Sequence, residues 1–250
     1  MKRPILFLAV LSLLGSTTQA QAAFLINDGG FEVNPLLNWR VLDQVGSQGT
    51  WFFNDNLSGS PSNGFPVPLP PQGIIAAMTD QDGPGSHVLY QDFVVPMGVN
   101  FATLSFQRYI QNSAASFVNG AQGLDYTGDA NQQARVDILL ASANPFSTTG
   151  GVLQNVFQTN PGDPFESGYS TVTADLTALL ASRGGQTLRL RFAATENLFF
   201  FNFGVDDVRL EARLAPTNAV PAPAGLLLVA TGLPLLIGMI RRRATSVVAN

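Results

Sequence analysis

Hydrophobic and polar residues alternate strictly in several short segments of the middle of the chain. In one of them, Leu188, Leu190 and Phe192 fall on one face, while Arg189 and Arg191 fall on the other. The same period of two recurs in three more segments, residues 87–96, 101–110 and 134–142. This period is typical of β-strands with one buried face, and clusters of Gly, Pro, Asn and Asp separate the segments. The pattern predicts an all-β fold, most simply an antiparallel β-sandwich.

The last alternating segment, residues 199–212, predicts either a strand pair or one long bent strand. It opens with four phenylalanines around Asn202. Because successive side chains of a strand point to opposite faces, these four rings cannot all enter one core. The segment therefore indicates either that both faces of a sheet are covered or that an apolar patch is exposed for binding.

Three segments break the strand pattern. Residues 171–185 predict one short helical turn through Leu180, with Asp175 as its cap and Gly184 as the residue that ends it. Residues 54–73 and 112–133 are rich in Pro, Gly, Ser and Asn and predict long loops. Loops of this length are uncommon unless they are functional or disordered.

The first 22 residues have the pattern of a secretory signal peptide. Lys2 and Arg3 precede an apolar run over residues 5–14 that is too short to span a bilayer. A small-x-small pattern ends at Ala22, which predicts cleavage between Ala22 and Ala23. The sandwich is thereby predicted over residues 23–215.

The C-terminus has the pattern of a marginal transmembrane helix. A proline-rich segment, residues 216–223, precedes 17 apolar or small residues over 224–240, and three arginines follow. This length is the lower limit for a membrane span. The arginines place residues 244–250 on the cytoplasmic side, as a short tail. The segment over 224–243 is a sorting tag, a plain anchor or a buried helix.

The same segment resembles the PEP-CTERM sorting signal. Val220, Pro221, Ala222 and Pro223 stand where that family has Val-Pro-Glu-Pro, and the basic cluster is Arg241, Arg242 and Arg243. The resemblance implies an exported substrate of exosortase in a Gram-negative bacterium, held transiently in the inner membrane. Cleavage would lie near residues 221–223. The resemblance also implies a final place at the cell surface or in the extracellular matrix, with polysaccharide or biofilm.

Charge and cysteine content exclude several classes of function. All 17 acidic residues but only 8 of the 13 basic residues lie between the terminal segments, which leaves a net charge of −9 there. Such a surface disfavours nucleic acid and anionic lipid as partners. The chain has no cysteine and one histidine, His87, so disulfides, thiolate chemistry and a two-histidine zinc site are excluded.

Both ends of the predicted sandwich resemble galactose-binding-like jelly rolls, which include many carbohydrate-binding modules. The opening stretch over residues 27–32 reads Asn-Asp-Gly-Gly-Phe-Glu and precedes Trp39, and the closing strand carries Asp-Asp-Val over residues 206–208. The resemblance implies a jelly-roll fold for the predicted sandwich. It also implies a structural calcium ion, for which we predict Glu32, Asp206 and Asn27 as ligands.

The closing strand gives a separate argument for the same ion. By a period of two, Asp206 shares a face with Val208 and Leu210, so it points inward if they are core. A buried carboxylate needs a partner or a metal, and carboxylate oxygens suit Ca²⁺. Glu32 is its natural companion. The alternative is that Asp206 accepts backbone hydrogen bonds.

For a carbohydrate, we predict Trp39, Trp51 and Tyr126 as ligand-binding aromatics, with core packing of the tryptophans as the alternative. No nucleophile elbow, phosphate loop or histidine dyad is present in the sequence. We therefore predict a non-catalytic surface or matrix protein that binds carbohydrate. The alternatives are a structural or adhesive protein without a sugar site and a carbohydrate-active enzyme.

Overall fold

The computed structural model describes residues 21–55, 59–62, 64–80 and 83–216. The predicted signal segment before residue 21, the rest of the linker after residue 216, the sorting helix and the tail lie outside this part of the chain. Val220 to Pro223 and the three arginines at 241–243 are therefore not described. Within the described ranges, no helix has the length and apolar character needed to cross a membrane.

Strands are the main regular elements of the described residues, and the two helices have only four and five residues. The strands are β1 (Ala22–Phe24), β2 (Arg40–Asp43), β3 (Thr50–Asn54), β4 (Ala76–Asp80), β5 (Gly85–Val94), β6 (Val99–Asn112), β7 (Gln132–Leu140), β8 (Val152–Gln158), β9 (Glu166–Asp175), β10 (Thr187–Glu196) and β11 (Phe201–Leu214). The helices are α1 (Pro35–Asn38) and α2 (Thr177–Ala181). The predicted all-β fold is confirmed, and the long closing segment is one strand.

These strands form two antiparallel sheets. The six-stranded sheet has the order β3-β4-β11-β6-β9, and β1 pairs with the far half of β11. The five-stranded sheet has the order β2-β5-β10-β7-β8. The predicted cleavage residues Ala22 and Ala23 both lie in β1, opposite Arg213 and Ala212.

The core lies between the two sheets and follows the predicted alternation. Leu188, Leu190 and Phe192 of β10 are fully buried in it, as are Val136 and Ile138 of the neighbouring β7. Burial of such side chains contributes roughly 1.5–3 kcal/mol each to folding. The period of two therefore identified the inner face of this sheet correctly.

A β-bulge near the middle of β11 changes which residues face the core. Between Asp206 and Arg209, β11 advances three residues while β6 advances two. Asp207 adopts a left-handed conformation with φ of 49° at this point, which aspartate tolerates better than most residues. Val205 and Val208 both lie in the core as a result. The predicted inward direction of Asp206 is therefore wrong, because the bulge shifts the alternation by one residue.

The outer face of the five-stranded sheet is also covered. Leu124 and Phe146, from the loops flanking β7, pack with Val88 and Ala193. Arg191 is fully buried beneath these loops. The arginines of β10 thus lie on the opposite face from the core, as predicted, but Arg191 is not in solvent.

A buried ion network fixes this covering. Asp137 accepts hydrogen bonds from Arg135, at 2.6 and 2.8 Å, and from Arg191. Arg191 Nη1 also donates to the carbonyl oxygens of Pro145 and Ser147. Burial opposes ionisation of Asp137, but the two arginines outweigh it and hold its pKa below the ordinary value. The network attaches the loop over residues 141–151 to the sheet.

The predicted helical turn is present. Helix α2 ends at Ala181, one residue beyond the predicted Leu180, and its N-cap is Leu176 rather than Asp175. Asp175 lies one residue earlier, and its Oδ1 accepts the N–H of Thr177 at 2.8 Å. The carboxylate therefore still satisfies a donor of the first turn, which is the physical role that the prediction gave it.

Candidate functional site

The two tryptophans predicted to bind sugar lie in the core. Trp39 is 1% exposed and Trp51 is 4% exposed. The Trp39 ring packs between Phe31 and Phe192, with centroids 5.3 and 5.9 Å away, and the Trp51 ring meets Phe203 edge-on at 5.7 Å. No ring face remains for a ligand, so the prediction of a tryptophan stacking surface is wrong and the core alternative holds.

Tyr126, the third predicted aromatic, is half-buried in the loop between β6 and β7. Its hydroxyl donates to the carbonyl of Val45 at 3.1 Å, and its own carbonyl accepts from Asn197 Nδ2 at 2.9 Å. Tyr126 therefore ties this loop to the turn between β10 and β11. The turn itself is the more exposed feature.

The predicted calcium ligands Glu32 and Asp206 meet the same loop, residues 72–75. Glu32 Oε1 accepts the N–H groups of Ile74 and Ile75, both at 2.8 Å, and Asp206 Oδ2 accepts that of Gln72 at 3.0 Å. Gly73 in this loop has φ of 63°, and a Cβ there would lie 2.1 Å from Glu32 Oε1. A glycine is required where the loop passes the carboxylate.

The pKa of Asp206 is raised to about 7, mainly by burial and in smaller part by the nearby charges of Asp207 and Glu32, against the hydrogen bonds from the N–H groups of Asp207 and Gln72. A cation would relieve this repulsion. However, among the described residues no three acidic or histidine side chains are placed to hold a metal ion. The residues thus fit a calcium site only in part, and the ion stays a prediction.

Asn27, the third predicted ligand, is held elsewhere. Its backbone N–H donates to Gln91 Oε1 at 2.7 Å, and its carbonyl accepts from Gln91 Nε2 at 2.9 Å. Gln91 belongs to the five-stranded sheet. None of the contacts found in the described residues joins Asn27 to Glu32 or Asp206.

The turn between β10 and β11 presents an exposed aromatic group. Leu198 is 44% exposed and Phe199 is 55% exposed. The Phe199 and Phe200 rings meet at 5.1 Å, and Phe65 meets Phe200 at 5.5 Å. We call Phe65, Leu198, Phe199 and Phe200 the aromatic tip. Phe201 and Phe203 are fully buried, so the segment begins with exposed rings and continues with buried ones, and use of the exposed rings for binding stays a prediction.

Buried polar side chains hold the aromatic tip from below. Gln132 Nε2 donates to the Phe199 carbonyl at 2.8 Å, and Gln132 Oε1 accepts the N–H of Leu198 at 3.3 Å. Asn197 Oδ1 accepts the N–H of Asn131 at 2.8 Å. These bonds join residues more than 60 positions apart. The tip is therefore a supported surface rather than a loose turn.

A cavity of about 210 Å³ opens beside the aromatic tip. It is lined by Gly83, Pro84, Glu196, Asn197, Leu198, Phe199 and Phe200. Glu196 is only 2% exposed. Its pKa is raised to about 10, mainly by burial and in smaller part by the charge of Asp80, against a hydrogen bond from the N–H of Phe201. A pKa this high favours the uncharged form of the side chain at neutral pH.

A second groove, of about 550 Å³, lies on the outer face of the six-stranded sheet. Its lining includes Pro66, Tyr109, Gln111 and Glu166. Tyr109 is 7% exposed and its hydroxyl donates to Gln111 Oε1 at 2.9 Å. The aromatic ring in this groove is thus nearly covered, in contrast to the aromatic tip.

No protein-family profile matches the chain, and no curated protein matches it. Among solved structures it is similar to TmCBM61 in complex with β-1,4-galactotriose, at 14% identity and a TM-score of 0.43, over 75% of this chain and 97% of that one. It is similar to the K3 cleaved adhesin domain of Lys-gingipain from Porphyromonas gingivalis W83, at 15% identity and a TM-score of 0.45, over 75% and 98%.

A third similar structure is the Stig cyclase Fisc from Fischerella sp. TAU, at 18% identity and a TM-score of 0.47, over 78% of this chain and 100% of that one. The three neighbours therefore include a carbohydrate-binding module, an adhesin domain and a cyclase. The likeness concerns the β-sandwich fold and not the ligand.

Proposed function

We propose that this chain is an exported, non-catalytic protein that binds carbohydrate through the aromatic tip. The observation that carries the proposal is the exposure of Phe199 and its neighbours on a surface held by buried polar side chains. Aromatic faces stack on the apolar C–H faces of sugars, and a supported surface loses little entropy on binding. The polar groups of the adjacent cavity would orient the bound sugar ring.

The terminal segments support the cellular part of the proposal. We propose that the signal peptide exports the sandwich and that exosortase processes the C-terminal segment of a Gram-negative host. The sandwich then lies at the cell surface or in the matrix, with polysaccharide or biofilm. An epitope after Asn250 should be lost in cells with exosortase and retained in cells without it. Retention in both strains would contradict this step.

Isothermal titration against a panel of soluble polysaccharides tests the binding step. Phe199→Ala should weaken binding at least tenfold, because the exposed stacking ring is lost, while the unfolding curve stays near that of the parent. Phe24→Ala is the matched control, since Phe24 is 67% exposed and pairs near the far end of β11. No binding to any polysaccharide would overturn the proposal. Equal losses in the two variants would show that the tip is not the site.

Adhesion to protein is the second candidate function, since the same exposed apolar group suits a protein contact. It predicts self-association or apolar-dye binding that Phe199→Ala removes. Absence of catalysis is also a proposal. Release of reducing ends from any polysaccharide in the titration panel would contradict it.

A further inference from the structure

The cavity beside the aromatic tip has two kinds of wall. Pro84, Leu198, Phe199 and Phe200 form an apolar wall, and the polar residues Glu196 and Asn197 line the rest. Its volume of about 210 Å³ is below the ~300–1,000 Å³ typical of pockets for drug-sized ligands. The space therefore suits a single sugar ring, with the rest of a polysaccharide outside it.

No basic residue lines this cavity within the described part of the chain. Arg135 and Arg191, on the strands that lead to this end, bond Asp137 instead. An anionic group in the cavity would thus meet no neutralising cation.

The carboxyl groups near the cavity reinforce this bias. Asp80 is 2% exposed and accepts from the Ser60 hydroxyl and from the N–H of Ser62. Its influence on Glu196 is one cause of the raised pKa of Glu196, after burial. An uncharged carboxyl both donates and accepts hydrogen bonds, as sugar hydroxyls require. The carboxylate of a uronate residue in the cavity would lose its hydration and would gain no cation as a partner.

We infer that this cavity takes an uncharged pyranose residue of a neutral polysaccharide and excludes uronate residues, with Glu196 as a specificity-determining residue. The inference rests on the proposed function, since it assigns a ligand class to the same site. The net charge of −9 between the terminal segments acts in the same direction at longer range.

The test uses pairs of glycans that differ only at C6: β-1,4-mannan oligosaccharides against β-1,4-mannuronate oligosaccharides, β-1,4-glucan against β-1,4-glucuronan oligosaccharides, and galactose against galacturonate. Titrations run at pH 7 in 0.5 M NaCl, because salt at this level screens the field of the whole domain but not a buried site. At least one neutral member should bind, at least tenfold more tightly than its acidic partner.

Variants at Glu196 test its role. Glu196→Gln keeps the size and the neutral hydrogen-bonding capacity, so the preference for the neutral glycan should persist, with affinity within about threefold of the parent. Glu196→Leu should weaken binding of the neutral glycan at least tenfold. Unchanged affinity in Glu196→Leu would overturn the role of Glu196.

Because Glu196 is buried, a variant on the exposed rim provides a test that does not depend on the core. Pro84→Arg adds a cation beside the cavity and should raise the affinity for uronate relative to the neutral partner. The inference would be overturned if the parent bound uronate as tightly as the neutral glycan and if Phe199→Ala weakened the binding of uronate. The proposed function would still stand in that case. Binding of neither member of any glycan pair would overturn both.

Discussion

The aromatic tip and the aromatic core are adjacent in sequence and differ in what fixes them. Phe199 and Phe200 precede Phe201 and Phe203, yet the first pair lies outside the sandwich and the second pair inside it. The inner rings are fixed by other rings, including Trp51 at 5.7 Å from Phe203. The outer rings are fixed through their backbone by buried amides. In this protein, hydrogen bonds from buried amide side chains to the backbone therefore hold the exposed aromatic residues in place.

Phe203→Ala should have the largest effect on stability. Phe203 is fully buried, so its loss leaves a cavity and should lower the free energy of unfolding by about 3–5 kcal/mol. Phe199→Ala should change it by less than about 1 kcal/mol. Denaturant unfolding of the two variants measures both values. Similar losses would contradict the division into tip and core.

Gln132→Leu should show that the tip depends on its polar support. Gln132 is fully buried and bonds Phe199, Leu198 and Asn112. Removing its amide leaves these buried groups unsatisfied, at about 1–3 kcal/mol. Hydrogen exchange at Leu198 should rise in the same variant, with Gln154→Leu as the control, since Gln154 is half-buried on β8 and does not contact the tip. Unchanged exchange at Leu198 would contradict the role of the amide.

Glu196 should make stability depend on pH. Its pKa is raised in the folded state to about 10, so the fold favours the neutral form. The contribution of neutral Glu196 to the free energy of unfolding is complete below pH 4.5, the ordinary pKa of glutamate. It is lost as the pH rises toward 10. Stability should fall by up to ~1.4 kcal/mol per pH unit in this window.

In Glu196→Gln, which cannot ionise, the unfolding free energy should be flatter between pH 6 and 9. Parallel pH profiles for the parent and Glu196→Gln would contradict the neutral state of Glu196.

Calcium should have the smallest effect, and its site should be separate from the tip. If Glu32 and Asp206 hold the ion, free Ca²⁺ at about five times Kd adds about 1 kcal/mol. For a domain of this size the Tm should rise by about 2–4 °C. A chelator should reverse the rise, and Asp206→Asn should abolish it. An unchanged Tm in the parent protein refutes the structural ion.

The sequence predicted the fold where alternation was regular. Strand β10 shows this, since Leu188, Leu190 and Phe192 face the core as expected. It failed at Asp206, because the bulge at Asp207 depends on a backbone conformation that no local pattern signals. Burial of Trp39 and Trp51 was also undecidable, because the rings that cover them come from distant strands.

The candidate site was predictable only in outline. The four phenylalanines around Asn202 indicated that some rings of this segment lie outside a single core, and Phe199 is exposed while Phe201 and Phe203 are buried. The support from Gln132 and Asn131 could not be predicted, because its partners lie more than 60 residues away. The cavity at Glu196 likewise depends on Pro84, which another strand brings to this end.

Hydrogen–deuterium exchange with a bound neutral oligosaccharide decides whether the aromatic tip is the carbohydrate site. Binding should protect residues 196–200 and leave exchange in the groove lined by Tyr109 and Glu166 unchanged. Protection at that groove, with unchanged exchange at residues 196–200, would contradict the assignment of the aromatic tip as the carbohydrate site.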